Sequence, residues 1–243
     1  MKQFASMRSK FLVNSLNEKA RHLWWRAFSF TIVNMSTDSK FHVKRHDDRE
    51  VFDRDAVNAL LDNQYVAHVG FIDPDVNLPF VIPMGFARDN DRILLHGSTG
   101  SRMMMAIATG IDICVTVTQL NAIVIARSAF NSSMNYESVM VFGKARVLTA
   151  GEKDQALEAI TEKLVPGLWE YGRPLTAKES AATMIVELSL ERFSAKSRSG
   201  DPIDEDSDLD LPIWAGILPI STQVGQAQSA ANASHLAIPP HIA

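Results

Sequence analysis

Apolar residues fall along the middle of the chain as a series of short strand-like runs, broken by a few stretches of helical spacing. In 53–64 (DRDAVNALLDNQ), Ala56, Ala59 and Leu60 recur at helical intervals, and Asp53 or Asp55 stands where a carboxylate can cap the first turn. The runs 65–73 (YVAHVGFID), 78–87 (LPFVIPMGFA) and 92–97 (RILLHG) follow. DPDVN and RDND separate them, and their Asp, Asn and Pro residues tolerate turn dihedrals. A helix is predicted from about Arg102. Three further runs, 111–120 (IDICVTVTQL), 121–130 (NAIVIARSAF) and 137–149 (ESVMVFGKARVLT), are rich in the Val and Ile that pack well on a pleated surface. Thr149 with Glu152 and Thr176 with Glu179 each spell a capping box, which predicts helices near 152–164 and 177–182. The run 183–195 (TMIVELSLERFSA) closes the series. Consecutive strands with short hairpins and few helices predict an antiparallel barrel, because closure removes exposed sheet edges. The expected fold class is mainly β, a β-barrel with flanking helices.

Composition adds limits to that picture. With 243 residues, 46% hydrophobic and 21% charged, the chain can bury a real core, and a net charge of −4 gives no footprint for nucleic acid. The ends differ from the middle. Residues 1–40 hold seven Lys/Arg against two acids, a balance of +5, which leaves −9 for residues 41–243. FLVNSLNEKARHLWW lacks both the apolar core and the small-residue cleavage site of a secretory signal. Met35 opens MSTDSKFHVKRHDDRE as a natural start would, so 1–40 is expected to be a basic, disordered extension, with 1–34 an over-extended reading frame. Residues 41–224 read as one domain, and 225–243, rich in Ala, Ser and Gln with a Pro-Pro pair, as a disordered tail. No apolar run is long enough for a membrane-spanning helix, so no membrane partner is expected. Cys114 is the only cysteine and lies in ICVTV, where a buried core thiol and a reducing, cytoplasmic compartment are expected.

The chemistry concentrates at HGSTGSR, residues 96–102, where a strand runs into a helix. A Gly-flanked turn can aim several N–H groups at one point, Ser98, Thr99 and Ser101 bring hydroxyls, and Arg102 brings a fork suited to phosphate. The competing reading is a plain turn with Ser101 as N-cap and a solvated Arg102, and the residues alone leave both open. Neither a Walker loop nor a GxGxxG follows a strand, so nucleoside triphosphate hydrolysis and a Rossmann cofactor are not supported. His42 and His46 share a charged segment with no third ligand, and no metal site is expected. His68 reads as a hydrogen-bonded core or interface residue. His96, at a strand end before the turn, is an outside candidate for proton transfer. Asn135, Tyr136 and Ser138 head an apolar strand, as a site for a flat heterocycle would, or as a polar hairpin tip would. Lys196 and Arg198, in SAKSRSGDP, read as a solvated basic turn.

The order AHVGFID, LPFVIPMGFA, ILLHGSTGSR, ICVTVT, ARSAF, SMNYESVMVFGKARVL, SAKSRSGDP resembles the pyridoxamine 5′-phosphate oxidase-related flavin-binding family, in the branch that includes proteins similar to nitroimidazole resistance reductases. The resemblance covers roughly residues 44–219. It implies a six-stranded split β-barrel forming a homodimer, with one FMN at each of two sites between subunits. Ser101 and Arg102 fall on the family's phosphate-gripping Ser-Arg pair, with Ser98 and Thr99 in the turn before it. Pro83, Met84 and Gly85 fall on the strand beside the isoalloxazine ring, and Asn135, Tyr136 and Ser138 lead into a strand near the flavin. Lys196 and Arg198 are candidate partner-subunit contacts. The implied activity is an FMN-dependent oxidoreductase acting on a small molecule, nitroaromatics included. The alternative is a non-enzymatic protein that stores or senses flavin or haem, and both haem and deazaflavin are alternative cofactors. Vitamin B6 oxidation is not expected. No basic residue occurs between Phe80 and Ala87, Met103 stands where oxidases carry Lys, and SAKSRSG replaces the C-terminal substrate motif.

Overall fold

Strand alternation, one face apolar and the other mixed, builds most of the molecule. The computed structural model describes residues 49–242 with the exception of Phe52. The expected basic extension, His42 and His46 lie outside the described residues. Helix α1 (Arg54–Asn63) starts where Asp53 accepts the Asp55 N–H at 3.0 Å. It buries Val57, Leu60 and Leu61; of the expected stripe, Leu60 is buried while Ala56 and Ala59 are exposed. The larger side chains win the core face because they remove more apolar area from water.

Strands β1 (Val66–Asp73), β2 (Leu78–Asp89) and β3 (Arg92–Ser98) form a meander that leads into helix α2 (Arg102–Ala108). Then come β4 (Asp112–Ile125), β5 (Ser133–Lys144) and the short β6 (Arg146–Val147). Helices α3 (Ala150–Leu164), α4 (Leu168–Tyr171) and α5 (Ala177–Ala182) precede β7 (Thr183–Ser189) and β8 (Phe193–Arg198), and β9 (Gly216–Pro219) comes last. These strands make one nine-stranded antiparallel sheet in the order β6-β7-β3-β2-β1-β4-β5-β8, with β9 added to β4. The sheet curls into a half-barrel. Near its closure the Phe142 N–H donates to Arg192 O at 2.9 Å, and Gly143, at φ +149, comes so close to Leu188 that a Cβ would meet its side chain at 3.3 Å.

Two runs divide differently from their patterning. Residues 111–120 and 121–130 do not make two strands: β4 runs through both, and a bulge between Leu120 and Ala122 absorbs Asn121. Conversely, 183–195 is broken at Leu190–Arg192, because β7 pairs with β3 and β6 while β8 pairs with β5. Both capping positions behave as expected: Glu152 accepts the Thr149 N–H at 2.8 Å, and the Thr176–Glu179 box is closed in both directions.

The core has two parts. Ala67, Val69, Phe86, Ile93, Leu95, Val115, Val117, Val139 and Val141 face inward with α1 and with Met103, Met104 and Ile107 of α2. A second cluster lies on the outer side of the sheet, where Ala87, Leu94, Leu148 and Ile185 pack beneath Ala156 and Ile160 of α3. The segment expected as a tail carries a 3-10 turn at Ala231–Ala233 and sets the His241 ring edge-on to Tyr171, centroids 5.2 Å apart. No helix among the described residues is long and apolar enough to cross a membrane.

Candidate functional site

The strand β2 belongs to two pairings. Through Leu78–Gly85 it pairs with β1, and through Phe86–Asp89 with β3. Past the Phe86–Leu95 pair the two strands part, and β3 continues from His96 to Ser98 against β7 alone. A split opens there, with the β2 backbone from Ile82 to Gly85 on one lip and His96–Ser98 on the other. Main-chain N–H and C=O groups along such lips have no ladder partner and seek one in a ligand or solvent.

Helix α2 closes the split from the inside. A Cβ on Gly97 would lie 2.8 Å from Met104 Cγ, so the helix rests directly on β3. On the other lip, the Arg102 guanidinium stands 5.1 Å from the Phe80 ring centroid. The connecting turn is well tied: Thr99 N–H donates to Ala182 O (2.9 Å), Ser101 N–H to Ser98 O (2.9 Å), and Gly100 N–H to Ser98 Oγ (3.2 Å). Ser101 occupies the N-cap of α2, yet its hydroxyl makes no capping bond, so the plain-cap reading of this serine does not hold. Ser98 and Thr99 are exposed.

Arg102 is not simply solvated. Its Nε lies 2.6 Å from Oδ2 of Asp73, a carboxylate 1% exposed, while the Arg102 side chain itself is 52% exposed. The Nε–H is not aligned on Oδ2, so the contact is an ion pair rather than a well-formed hydrogen bond. Asp73 Oδ1 accepts the N–H groups of Asp75 (2.9 Å) and Val76 (3.3 Å). The Arg102 guanidinium, helped by those two N–H groups and opposed by burial, holds the Asp73 carboxyl below the usual carboxylate range.

Outside the split, alternation sorts the remaining candidates. Pro83 and Gly85 lie on the outer face, and nothing stands within 4 Å of where a Gly85 Cβ would be. Met84 turns inward and packs on the core. His96 follows in register opposite Gly85 and shares the face of Leu94. Its surface is accessible, but surrounding protein still pushes its imidazole below the usual histidine range, and the exposure makes that a partial desolvation. His68 sits exposed between Pro83 and Thr116, which removes the core alternative and leaves the interface one. Cys114 is likewise no core thiol: Ile113 and Val115 point in, and Cys114 is half-buried on the outer face, Sγ 3.6 Å from Thr116 Oγ1. Val66, Ile72 and Val81, 50%, 58% and 66% exposed, form an apolar rim.

The other polar group lies across β1 and β4. Ser138 stands between Thr118 and Lys196, and Tyr136 between Leu120 and Arg198. Three strand spacings separate β5 from β2, about 14 Å. Asn135 is held within the protein: 6% exposed, it donates from Nδ2 to Gly200 O (2.9 Å) and accepts from Arg198 Nη1, clamping the arginine and the Gly200 turn. The structure therefore gathers Pro83, Gly85, His96, Ser98, Thr99, Ser101 and Arg102 around the split. Tyr136, Ser138, Lys196 and Arg198 form a second patch on the same face. Sequence reasoning missed Asp73; a lone acid before Pro74 reads as turn chemistry, and only the fold shows Arg102 returning to it.

The sequence profile of the pyridoxamine 5′-phosphate oxidase family matches residues 53–197. The chain belongs to this family. The matched region runs from α1 into β8 and contains the whole split. Among solved structures, this family member is similar to the flavocytochrome Anf3 from Azotobacter vinelandii, with 38% identity over 84% of this chain and 95% of that one, at a TM-score of 0.80. It is similar also to the FAD and heme binding protein from Mycobacterium smegmatis, with 35% identity over 80% of this chain and 95% of that one, at a TM-score of 0.77. A candidate 5-nitroimidazole antibiotic resistance protein from Bacteroides thetaiotaomicron, 19% identical over 60% of this chain and 85% of that one, shares the fold at a TM-score of 0.52. No curated protein matches the sequence.

Proposed function

We propose that this family member is a cytoplasmic redox protein that binds a flavin, FMN or its dinucleotide form, together with haem, and passes electrons to or from a small molecule. The observation that carries the reading is its similarity, along 95% of their lengths, to a flavocytochrome and to a FAD and heme binding protein. The residues of this chain fit such groups. The split offers unladdered backbone for the polar edge of a flat ring, and the open space at Gly85 leaves room for it. Arg102 would neutralise the flavin phosphate, with Ser98, Thr99 and Ser101 donating hydroxyl hydrogen bonds. Among the described residues, His68 and His96 are the imidazoles on the outer face, and either would hold haem iron through a ring nitrogen. His96, held neutral by partial burial, can accept a proton at its free ring nitrogen. A flavin supplies one- and two-electron chemistry and haem one-electron chemistry, while the protein orients them and excludes water.

A homodimer completes the reading. On one chain β1 and β4 lie between the β2 lip of the split and the Tyr136–Arg198 patch, and a second copy laid on the apolar rim would bring its own Lys196 and Arg198 to the split. The visible spectrum of purified full-length protein, with acid release and chromatography of what it binds, tests the proposal. Flavin bands and a Soret band are expected; a colourless protein that ignores added FMN and haem refutes it. A deazaflavin released instead would replace the flavin assignment. Steady consumption of reduced nicotinamide with a nitroaromatic acceptor would establish turnover, and binding without turnover would make it a storage or sensing protein.

A further inference from the structure

We propose that Asp73 is a positioning residue of the phosphate site, its buried carboxylate fixing the Arg102 guanidinium at the mouth of the split. The inference rests on the flavin reading above and deepens it. Asp73 ends β1 on the inner face, where neither solvent nor a ligand reaches it. One of its oxygens is held by the Asp75 and Val76 N–H groups, and its own carbonyl accepts the Asn77 N–H at 2.8 Å. The turn thereby makes the carboxylate a fixed point. Its second oxygen meets Arg102 Nε at 2.6 Å, and the Phe80 ring supports the guanidinium at 5.1 Å. Addressed through Nε on one side and stacked on the other, the half-exposed fork presents its remaining edge outward. A free arginine on a short helix would have to be ordered by the phosphate itself, which weakens binding.

Charge alone and positioning make opposite predictions. If only net charge mattered, removing the Asp73 carboxylate would tighten phosphate binding by taking away a nearby negative charge; if orientation matters, it loosens it. FMN and riboflavin, which differ by the phosphate, are titrated by flavin fluorescence against flavin-free full-length protein, its Asp73→Asn and Arg102→Ala variants, and the double variant. Positioning predicts that Asp73→Asn weakens FMN about tenfold or more, changes riboflavin by less than about twofold, and adds nothing once Arg102 is alanine. Unchanged or tighter FMN binding overturns it, and so does an equal loss of both flavins. Should Asp73→Asn fail to fold, Arg102→Lys carries the same test, since lysine keeps the charge without the fork. Lysine binding FMN like the parent overturns positioning, and lysine behaving like alanine supports it. If Arg102→Ala itself leaves FMN binding intact, the phosphate reading fails, a result separate from failure of Asp73→Asn alone.

Discussion

Gly97→Ala is the sharpest perturbation of the frame that carries the site. The backbone at Gly97 is ordinary β conformation, so alanine is not strained by φ, and reducing the freedom of the unfolded chain would by itself stabilise by about 0.4–1 kcal/mol. Against this stands a new methyl 2.8 Å from Met104 Cγ and 3.3 Å from its Sδ. Met104 is fully buried and the clash strikes its Cγ, so clearing it requires moving the side chain from its base within a packed core. Overpacking of this kind costs about 1–3 kcal/mol, so the clash outweighs the entropy gain and leaves roughly 0.5–2 kcal/mol of destabilisation. For a domain of this size that is a fall in Tm of about 1–8 °C. Gly85→Ala is the matched control, having the same residue change with nothing within 4 Å. Differential scanning fluorimetry on flavin-free protein compares the two. A Gly97→Ala variant at or above the parental Tm, or one no worse than Gly85→Ala, would show that α2 does not seat on β3 as described.

Other expected outcomes are read by different assays. Gly85→Ala keeps the parental Tm but lowers FMN affinity several-fold in a fluorescence titration, because its methyl enters the open space of the split; undiminished affinity would remove the ring from that lip. Arg102→Ala lowers FMN affinity about tenfold or more with the fold intact by circular dichroism, and unchanged affinity refutes the phosphate assignment. Of His68→Ala and His96→Ala, at least one abolishes the Soret band of the haem-loaded protein; if both retain it, haem does not sit on the outer face. Val81→Glu, placing a charge on the apolar rim, shifts the protein from dimer to monomer in light scattering, and a parental mass unchanged by it argues against that interface. Asp73, Glu187 and Glu179, the last brought down to about 2, all have carboxyls lowered in the folded state. Their contribution is therefore complete above the ordinary carboxylate range and is lost as pH falls through the folded values; Glu179→Gln should flatten the acid limb of stability against pH.

Much of this architecture is written locally. The capping boxes at Thr149 and Thr176, the turns at DPDVN and RDND, and the alternation in ICVTVT need only neighbours in sequence, and each is found where its residues predict. What alternation cannot convey is which face of a strand meets the core. Cys114 and His68 lie in predominantly apolar runs, and their exposure follows from the single choice of face for β1 and β4. Ala56 and Ala59 fit a helical stripe as well as Val57 and Leu61 do, and only the volume beneath α1 selects between them. The strand-to-helix junction at 97–102 was legible, with its Gly, Ser, Thr and Arg in place. Its buried counter-ion was not, because Asp73 and Arg102 meet only after two hairpins have folded back. The partners of Asn135 were hidden for a related reason: Gly200 and Arg198, which take both ends of its amide, lie more than sixty residues away in sequence.

The bulge at Asn121 sets a spatial reading frame. Before it, β4 buries odd-numbered residues, Ile113, Val115 and Val117; after it, even-numbered ones, Ala122 and Val124. Asn121 is also pinned, its carbonyl accepting the Ile220 N–H at 2.8 Å and its side chain the Gln119 amide at 2.7 Å. Were Asn121 drawn into plain alternation instead of bulging, it would act like a frameshift confined to three dimensions: every later side chain in the strand would exchange inside for outside, while not one amino acid would have changed.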